Sequence, residues 1–153
     1  MKDITTQLKS VFSERLKENE PMSKHANYRI GGPARYFVEV KSENELAKAI
    51  KIATEYQVPY FVMGGGSNLL VADDGFDGFV LKIAMREFSI EGNRVTAEAG
   101  VFSAALARAT AEAGLKGFAW AISLPGTIGG AVRGNAGCFG GETKDRLVSA
   151  RVF

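Results

Sequence analysis

Apolar residues recur at Ile4, Leu8, Val11, Phe12 and Leu16, the spacing of one helix face, so roughly residues 3–18 are expected to form an amphipathic helix ended by Asn19-Glu20-Pro21. Residues 35–40 read as a strand. Ser42-Glu43-Asn44-Glu45 has the form of a capping box, which predicts a helix to about Tyr56 with Leu46, Ile50 and Ala53 on its apolar face. Val58-Pro59 restarts the chain, and Tyr60–Met63 is a short apolar strand that runs into Gly64-Gly65-Gly66-Ser67-Asn68. A strand, a helix and a strand ending in a glycine loop is an α/β arrangement. Phe79–Ile83, Phe88–Ile90 and Arg94–Ala99 read as further strands, with Gly92-Asn93 turning between the last two. Ser103 is placed to N-cap a helix through about Ala113, with Gly114 just past its end. Phe118–Ile122, a glycine-rich stretch over 124–141 and a last strand from about Leu147 complete the chain. No repeat or flexible linker is visible, and a division near Ala84–Glu87 would give two lobes, 1–84 and 85–153.

Composition narrows the picture. At 153 residues and 46% hydrophobic, the chain can bury a core as one domain or two small lobes, and disorder is not expected. Nineteen basic and 17 acidic residues leave a net charge of +2, without the clustered basic face that nucleic acid requires. The polar N-terminus has no apolar core of a signal peptide, and no apolar run is long enough to span a membrane, so a cytoplasmic protein is expected. With one cysteine, Cys138, and one histidine, His25, neither an internal disulfide nor a zinc site of the usual ligand count can form.

The 18 glycines are the informative feature, because they cluster. Three in a row after a strand let successive N–H groups of Gly64, Gly65 and Gly66 point inward as an anion nest, and Ser67 and Asn68 add side-chain hydrogen bonds. That chemistry suits a pyrophosphate. No Gly-Lys-Ser/Thr ending makes it a Walker loop, and Leu69 stands where the dinucleotide fingerprint needs its last glycine. A plain glycine turn is the alternative. The second cluster, Ser123-Leu124-Pro125-Gly126-Thr127-Ile128-Gly129-Gly130, continues through Asn135-Ala136-Gly137-Cys138. Pro125-Gly126 sets a turn, and Thr127 could cap a short helix whose first amides face a phosphate. The competing reading is a tight contact between small residues.

Taken together, these residues resemble the family of UDP-N-acetylenolpyruvoylglucosamine reductases. Asn27-Tyr28-Arg29-Ile30-Gly31-Gly32-Pro33-Ala34 looks like its N-terminal signature, Met63–Val71 like its first flavin loop, and Ser123–Ala131 with Asn135–Gly140 like its second. The resemblance implies an α+β fold of the vanillyl-alcohol-oxidase type, with two lobes clasping an extended FAD. It implies that Gly64, Gly65, Gly66, Ser67 and Asn68 bind the pyrophosphate. Pro125, Gly126, Thr127, Gly129, Gly130, Asn135, Ala136 and Gly137 would line the flavin and its linker, with Gly100 near the adenine half. In the family, NADPH reduces the flavin, which passes hydride to the enolpyruvyl group of a UDP-sugar during peptidoglycan synthesis.

The family's catalytic groups are an arginine in a Tyr-Arg motif, a proton-donating serine and a late glutamate, all downstream of the second loop. None has a counterpart here, and they are expected beyond Phe153, since Tyr28-Arg29 belongs to the N-terminal signature. The chain is therefore expected to be a fragment without catalytic residues or metal. The alternatives are a stand-alone FAD-binding module and the flavin subunit of another oxidoreductase of this fold. His25 is expected to be an ordinary hydrogen-bonded or surface histidine, Cys138 a packing residue, and Phe118 and Trp120 core. Arg133, inside the second loop, could meet a phosphate or lie in solvent.

Overall fold

The computed structural model describes residues 3–152, and the chain divides into two compact units, Met1–Met85 and Arg86–Phe153. In the first, α1 (Ile4–Phe12) leads through a 3-10 turn (Ser13–Arg15) to β1 (Lys17–Pro21). β2 (Pro33–Val40), α2 (Glu43–Glu55), β3 (Tyr60–Met63) and β4 (Phe76–Ile83) follow. The strands form one sheet in the order β1-β2-β4-β3. β1 runs antiparallel to β2, while β2, β4 and β3 are parallel.

The helix expected over 3–18 stops at Phe12, where Ser13 turns the chain at φ 51. The residues expected to end that helix instead build the edge strand β1. Leu16 is buried in the turn that follows, so its apolar spacing reflects burial without a further helical turn. The Ser42 cap is formed, its hydroxyl accepting from Glu45 N at 3.2 Å. The return half of the box is not: the Glu45 carboxylate accepts from Lys41 N at 2.9 Å and pairs with Arg15 at 2.5 Å.

The hydrogen bond from Arg15 holds Glu45 below the ordinary carboxylate range against the opposing effect of its burial, with help from the Lys41 amide. A carboxylate lowered in the fold contributes stability above its unfolded pKa, and that contribution fades as pH falls through the lowered value. Arg15 is about a third exposed, so screening keeps the pair to about 0.5–1 kcal/mol. Urea midpoints measured from pH 7 downward should therefore separate the parent from Glu45→Gln near neutrality and bring them together in acid. A constant gap at all pH values would contradict this role.

The two faces of the sheet are covered differently. Alternation in the parallel register puts Tyr36, Val38 and Val40 of β2 beside Phe79, Leu81 and Ile83 of β4. α1 packs on this face: Phe12 meets Phe79 edge-on at 6.1 Å, and Thr5 Oγ1 bonds the Tyr36 hydroxyl at 2.8 Å. A second cluster of Met22, Ala34, Phe37, Met63 and Val80 is closed by Leu69, Val71 and Phe76. Its cover thus includes two loop residues that follow the first glycine cluster, Leu69 and Val71, beside Phe76 at the start of β4.

In the second unit, β5 (Phe88–Glu91) and β6 (Arg94–Ala97) form a hairpin, turning at Gly92 with φ +61. α3 (Ser103–Glu112), a 3-10 turn (Ala119–Ser123), α4 (Ile128–Gly134) and the short pair β7 (Gly137–Cys138) and β8 (Gly141–Glu142) follow. β6 ends before Ala99 because the chain turns there, Val101 N donating to Glu98 O at 3.1 Å. Phe102, not Ser103, occupies the N-cap of α3. Ser103 is the first helical residue, its amide donating to Gly126 O at 3.1 Å and its hydroxyl buried without a partner. Phe118 and Trp120, expected as core, are only half-buried and meet edge-on at 5.3 Å. The strand expected from Leu147 is absent over residues 147–152, which run exposed, and Phe153 lies outside the described residues.

Candidate cofactor site

The first glycine loop leaves the C-terminal end of β3, the end at which parallel strands present ligand sites. Residues 64–75 carry the chain from β3 to its parallel neighbour β4. Such a connection needs about a dozen residues and is usually a helix. Here it is an irregular segment, and it lies against the stretch Met22–Pro33.

Several close approaches fix that contact. Gly66 is buried at φ +73, and a β-carbon there would overlap the His25 carbonyl oxygen. Asn27 N donates to Gly66 O at 3.0 Å. Gly32 N donates to Ala72 O at 2.9 Å, and a β-carbon on Gly32 would overlap Asp73 O, as one on Gly75 would overlap Pro33 O. The segment from Met22 to Pro33 is therefore the seat of the loop, a role that a reading of it as a signature alone did not provide. The Gly31-Gly32 pair was the available signal, since adjacent glycines before a proline mark close backbone approach. Tyr28 and Ile30 project into solvent beside it, and Arg29 sits at φ 55 in the turn closed by Arg29 N and Ala26 O at 3.0 Å.

Held this way, the loop keeps donors free. Among the described residues, the amides of Gly65, Ser67 and Asn68 donate to no backbone carbonyl. Amides without a backbone acceptor, at Gly65 and at the adjacent Ser67 and Asn68, in a partly buried glycine loop are donors of the kind that meet an anion, so the residues present fit a pyrophosphate. Next to it lies an apolar groove of about 200 Å³ lined in part by Phe61, Leu69, Leu70, Val71 and Phe76.

His25 is built into the seat. Its Nε2 lies 2.9 Å from Glu20 Oε1, and its ring stacks on Phe37 at 4.1 Å. Glu20 is buried, which works against its charge, but the hydrogen bonds from His25 and Lys17, with Lys17 and Lys24 as nearby positive charges, still hold it below the ordinary carboxylate range. An ionised carboxylate only accepts, so the His25 ring donates through Nε2. Nδ1 is buried without a partner. The expectation of a hydrogen-bonded histidine holds.

Gly100 and the second cluster belong to the second unit. The stretch 99–103 runs alongside 126–129: Gly129 N donates to Ala99 O and Ile128 N to Val101 O, both at 2.8 Å. Two of the first amides of α4, expected to face a phosphate, are thus taken by carbonyls of this chain. Thr127 occupies the N-cap position, but its side chain makes no cap bond and its hydroxyl is buried without a partner. A β-carbon on Gly129 would stand 2.7 Å from that of Ala99, so this glycine permits the two backbones to pack. Gly130 is exposed with only ordinary contact around it, and Pro125 is exposed beside Gly126 at φ +104.

Asn135 closes α4 in the left-handed conformation at φ 44. Its amide is engaged on both sides, donating to Glu142 Oε2 at 2.9 Å and accepting from Lys144 N at 2.9 Å. Ala136 O accepts the Thr143 hydroxyl at 2.7 Å, and Gly137 pairs with Glu142. These residues shape the β7–β8 hairpin. Cys138 Sγ donates to Trp120 O at 2.9 Å as a packing residue, and Arg133 is exposed in the last turn of α4. Among the described residues, no group of His, Cys, Asp or Glu could hold a metal ion, and no helix is long and apolar enough to cross a membrane.

A family profile described as FAD binding domain matches residues 34–153. The UDP-N-acetylenolpyruvoylglucosamine reductase of Clostridioides difficile (strain 630) is 40% identical over 154 residues, which is 99% of this chain and 51% of that protein. The solved UDP-N-acetylenolpyruvylglucosamine reductase from Thermus caldophilus superposes with a TM-score of 0.68 at 32% identity, over 83% of this chain and 45% of that one. An alkyldihydroxyacetonephosphate synthase shares the fold at a TM-score of 0.68 and 20% identity, over 95% of this chain and 31% of that one. The chain spans about half the length of the curated relatives it matches.

Proposed function

Since this chain belongs to the family of FAD binding domains, with the α+β fold of the vanillyl-alcohol-oxidase type, we propose that it is the FAD-holding portion of an NADPH-dependent reductase. That enzyme would convert UDP-N-acetylglucosamine enolpyruvate to UDP-N-acetylmuramate for peptidoglycan in the cytoplasm. The observation that carries the reading is the seated loop Gly64–Asn68, with unpaired amides at the end of β3, in a chain that aligns with such a reductase along nearly its whole length.

Bound FAD would supply hydride transfer from NADPH to the enolpyruvyl double bond. The work of this chain is to hold it. Gly64, Gly65 and Gly66 bring the backbone close to the pyrophosphate, and Ser67 and Asn68 add side-chain hydrogen bonds. Pro125, Gly126 and Gly130 would give a low, small-residue surface for the flavin and its linker, with Thr127 and Gly129 supporting it from beneath by packing on Phe102 and Ala99. Gly100 serves the adenine half, and Asn135, Ala136 and Gly137 shape the wall through the β7–β8 hairpin.

The purified chain is expected to carry flavin absorbance or to be stabilised by FAD more than by FMN or NADPH. At 100 times the dissociation constant, ligand linkage gives about 2.7 kcal/mol. For a chain of this size that is a rise in Tm of roughly 5–10 °C. An unchanged Tm across a wide range of FAD concentration would refute the reading.

A further inference from the structure

The geometry points to His25 and Glu20 as positioning residues that set the glycine loop for FAD, an inference that rests on the reading of Gly64–Asn68 as the pyrophosphate site. Gly66 is held on both sides by the backbone around His25: its Cα lies against the His25 carbonyl, and its own carbonyl accepts from Asn27 N at 3.0 Å. The direction of that backbone is fixed by the His25 ring. The ring is 9% exposed, stacked on Phe37 of β2 at 4.1 Å and bonded to Glu20 of β1 at 2.9 Å. Glu20 is itself anchored by Lys17 at 3.2 Å and Lys24 at 3.8 Å. A carboxylate on the edge strand is thus linked through one ring and two peptide units to the amides that meet the ligand. The polar contacts described for the two side chains are with each other, Lys17 and Lys24, while the contact with Gly66 is made by the His25 backbone, so both act through the backbone.

Three measurements on the whole chain test this. The first is FAD affinity by titration. The second is apo stability in urea. The third, independent of FAD, is the amide resonances of Gly64–Asn68 with the exchange rate of the Asn27 amide. His25→Ala is expected to weaken FAD binding on the order of tenfold, to shift the Gly64–Asn68 resonances and to speed Asn27 exchange. His25→Gln, which can still donate to Glu20 but cannot stack in the same way, should show the same changes at smaller size, and it decides the matter if the alanine variant does not fold. Leu46→Ala removes a buried side chain of α2, so it should lower stability while leaving affinity and loop resonances at parent values.

Parent-like affinity and resonances in both His25 variants would overturn the positioning role while FAD binding by the parent kept the reading of the site. An equal loss of affinity in Leu46→Ala would overturn it too, by showing that any destabilisation suffices. No FAD binding by the parent would overturn both.

Discussion

Gly66→Val is expected to destabilise the first unit by about 2–5 kcal/mol and to abolish FAD binding with it. Two effects add. At φ +73 the residue is in the left-handed region, which costs a side chain on the order of 1–2 kcal/mol and a β-branched one more. Its β-carbon would also overlap the His25 carbonyl oxygen, and backbone cannot swing aside as the end of a side chain can. The neighbouring position separates the two contributions. Gly65 is not at positive φ, and its amide is among those without a backbone acceptor. Gly65→Val should therefore leave the urea midpoint close to the parent's while lowering FAD affinity by obstructing the approach of the pyrophosphate. Measuring both variants for stability and FAD affinity checks the pair. Parent-like affinity in Gly65→Val would count against the nest, and parent-like stability in Gly66→Val would count against the clamp by His25.

The second large effect is an absence of turnover. A polypeptide of these 153 residues is expected to bind FAD and yet form no UDP-N-acetylmuramate. Reduction of an enolpyruvyl group requires a positive group on its carboxylate and a proton donor at the second carbon, in addition to the flavin. The family that the sequence resembles supplies these from a Tyr-Arg motif, a serine and a glutamate, and the Tyr-Arg pair present here, Tyr28-Arg29, lies in the exposed turn beside the loop seat. Each contribution is worth on the order of 100-fold or more, so loss of both should take product below detection. NADPH oxidation with and without the enolpyruvyl substrate, with product assayed by mass, is the measurement. Steady product formation would mean that the catalytic groups are within these residues.

The sequence was most legible where local chemistry decides the structure. Ser42 caps α2 because its hydroxyl needs only the Glu45 amide three residues on, and Gly114 follows α3 because the left-handed turn there favours glycine. It was least legible where distant partners decide. Residues 17–21 have a polar pattern and a proline, and become a strand only because β2 offers them an edge. Ser103 has the chemistry of a cap, yet Phe102 takes that position because residues 99–103 are drawn alongside 126–129. In the candidate site, the composition of the first loop was plain, but its seat was not, since nothing local ties His25 or Gly32 to residues forty positions away. In the second loop, the amides of Ile128 and Gly129 were expected to be free for the same reason: the carbonyls that occupy them lie on another segment.

The strand order has a consequence for kinetics. β4 stands between β2 and β3 in space but follows both in the chain, so neither parallel ladder can form until residues 64–75 have crossed back over the sheet. The pairing is non-local, which raises contact order and slows folding. The loop finds its seat only when that last strand docks, so contacts made by a ligand there are missing from an early transition state. Contacts of that kind slow unfolding and leave the folding rate nearly unchanged. Bound flavin would then act as a latch, prolonging the lifetime of the folded unit without hastening its formation.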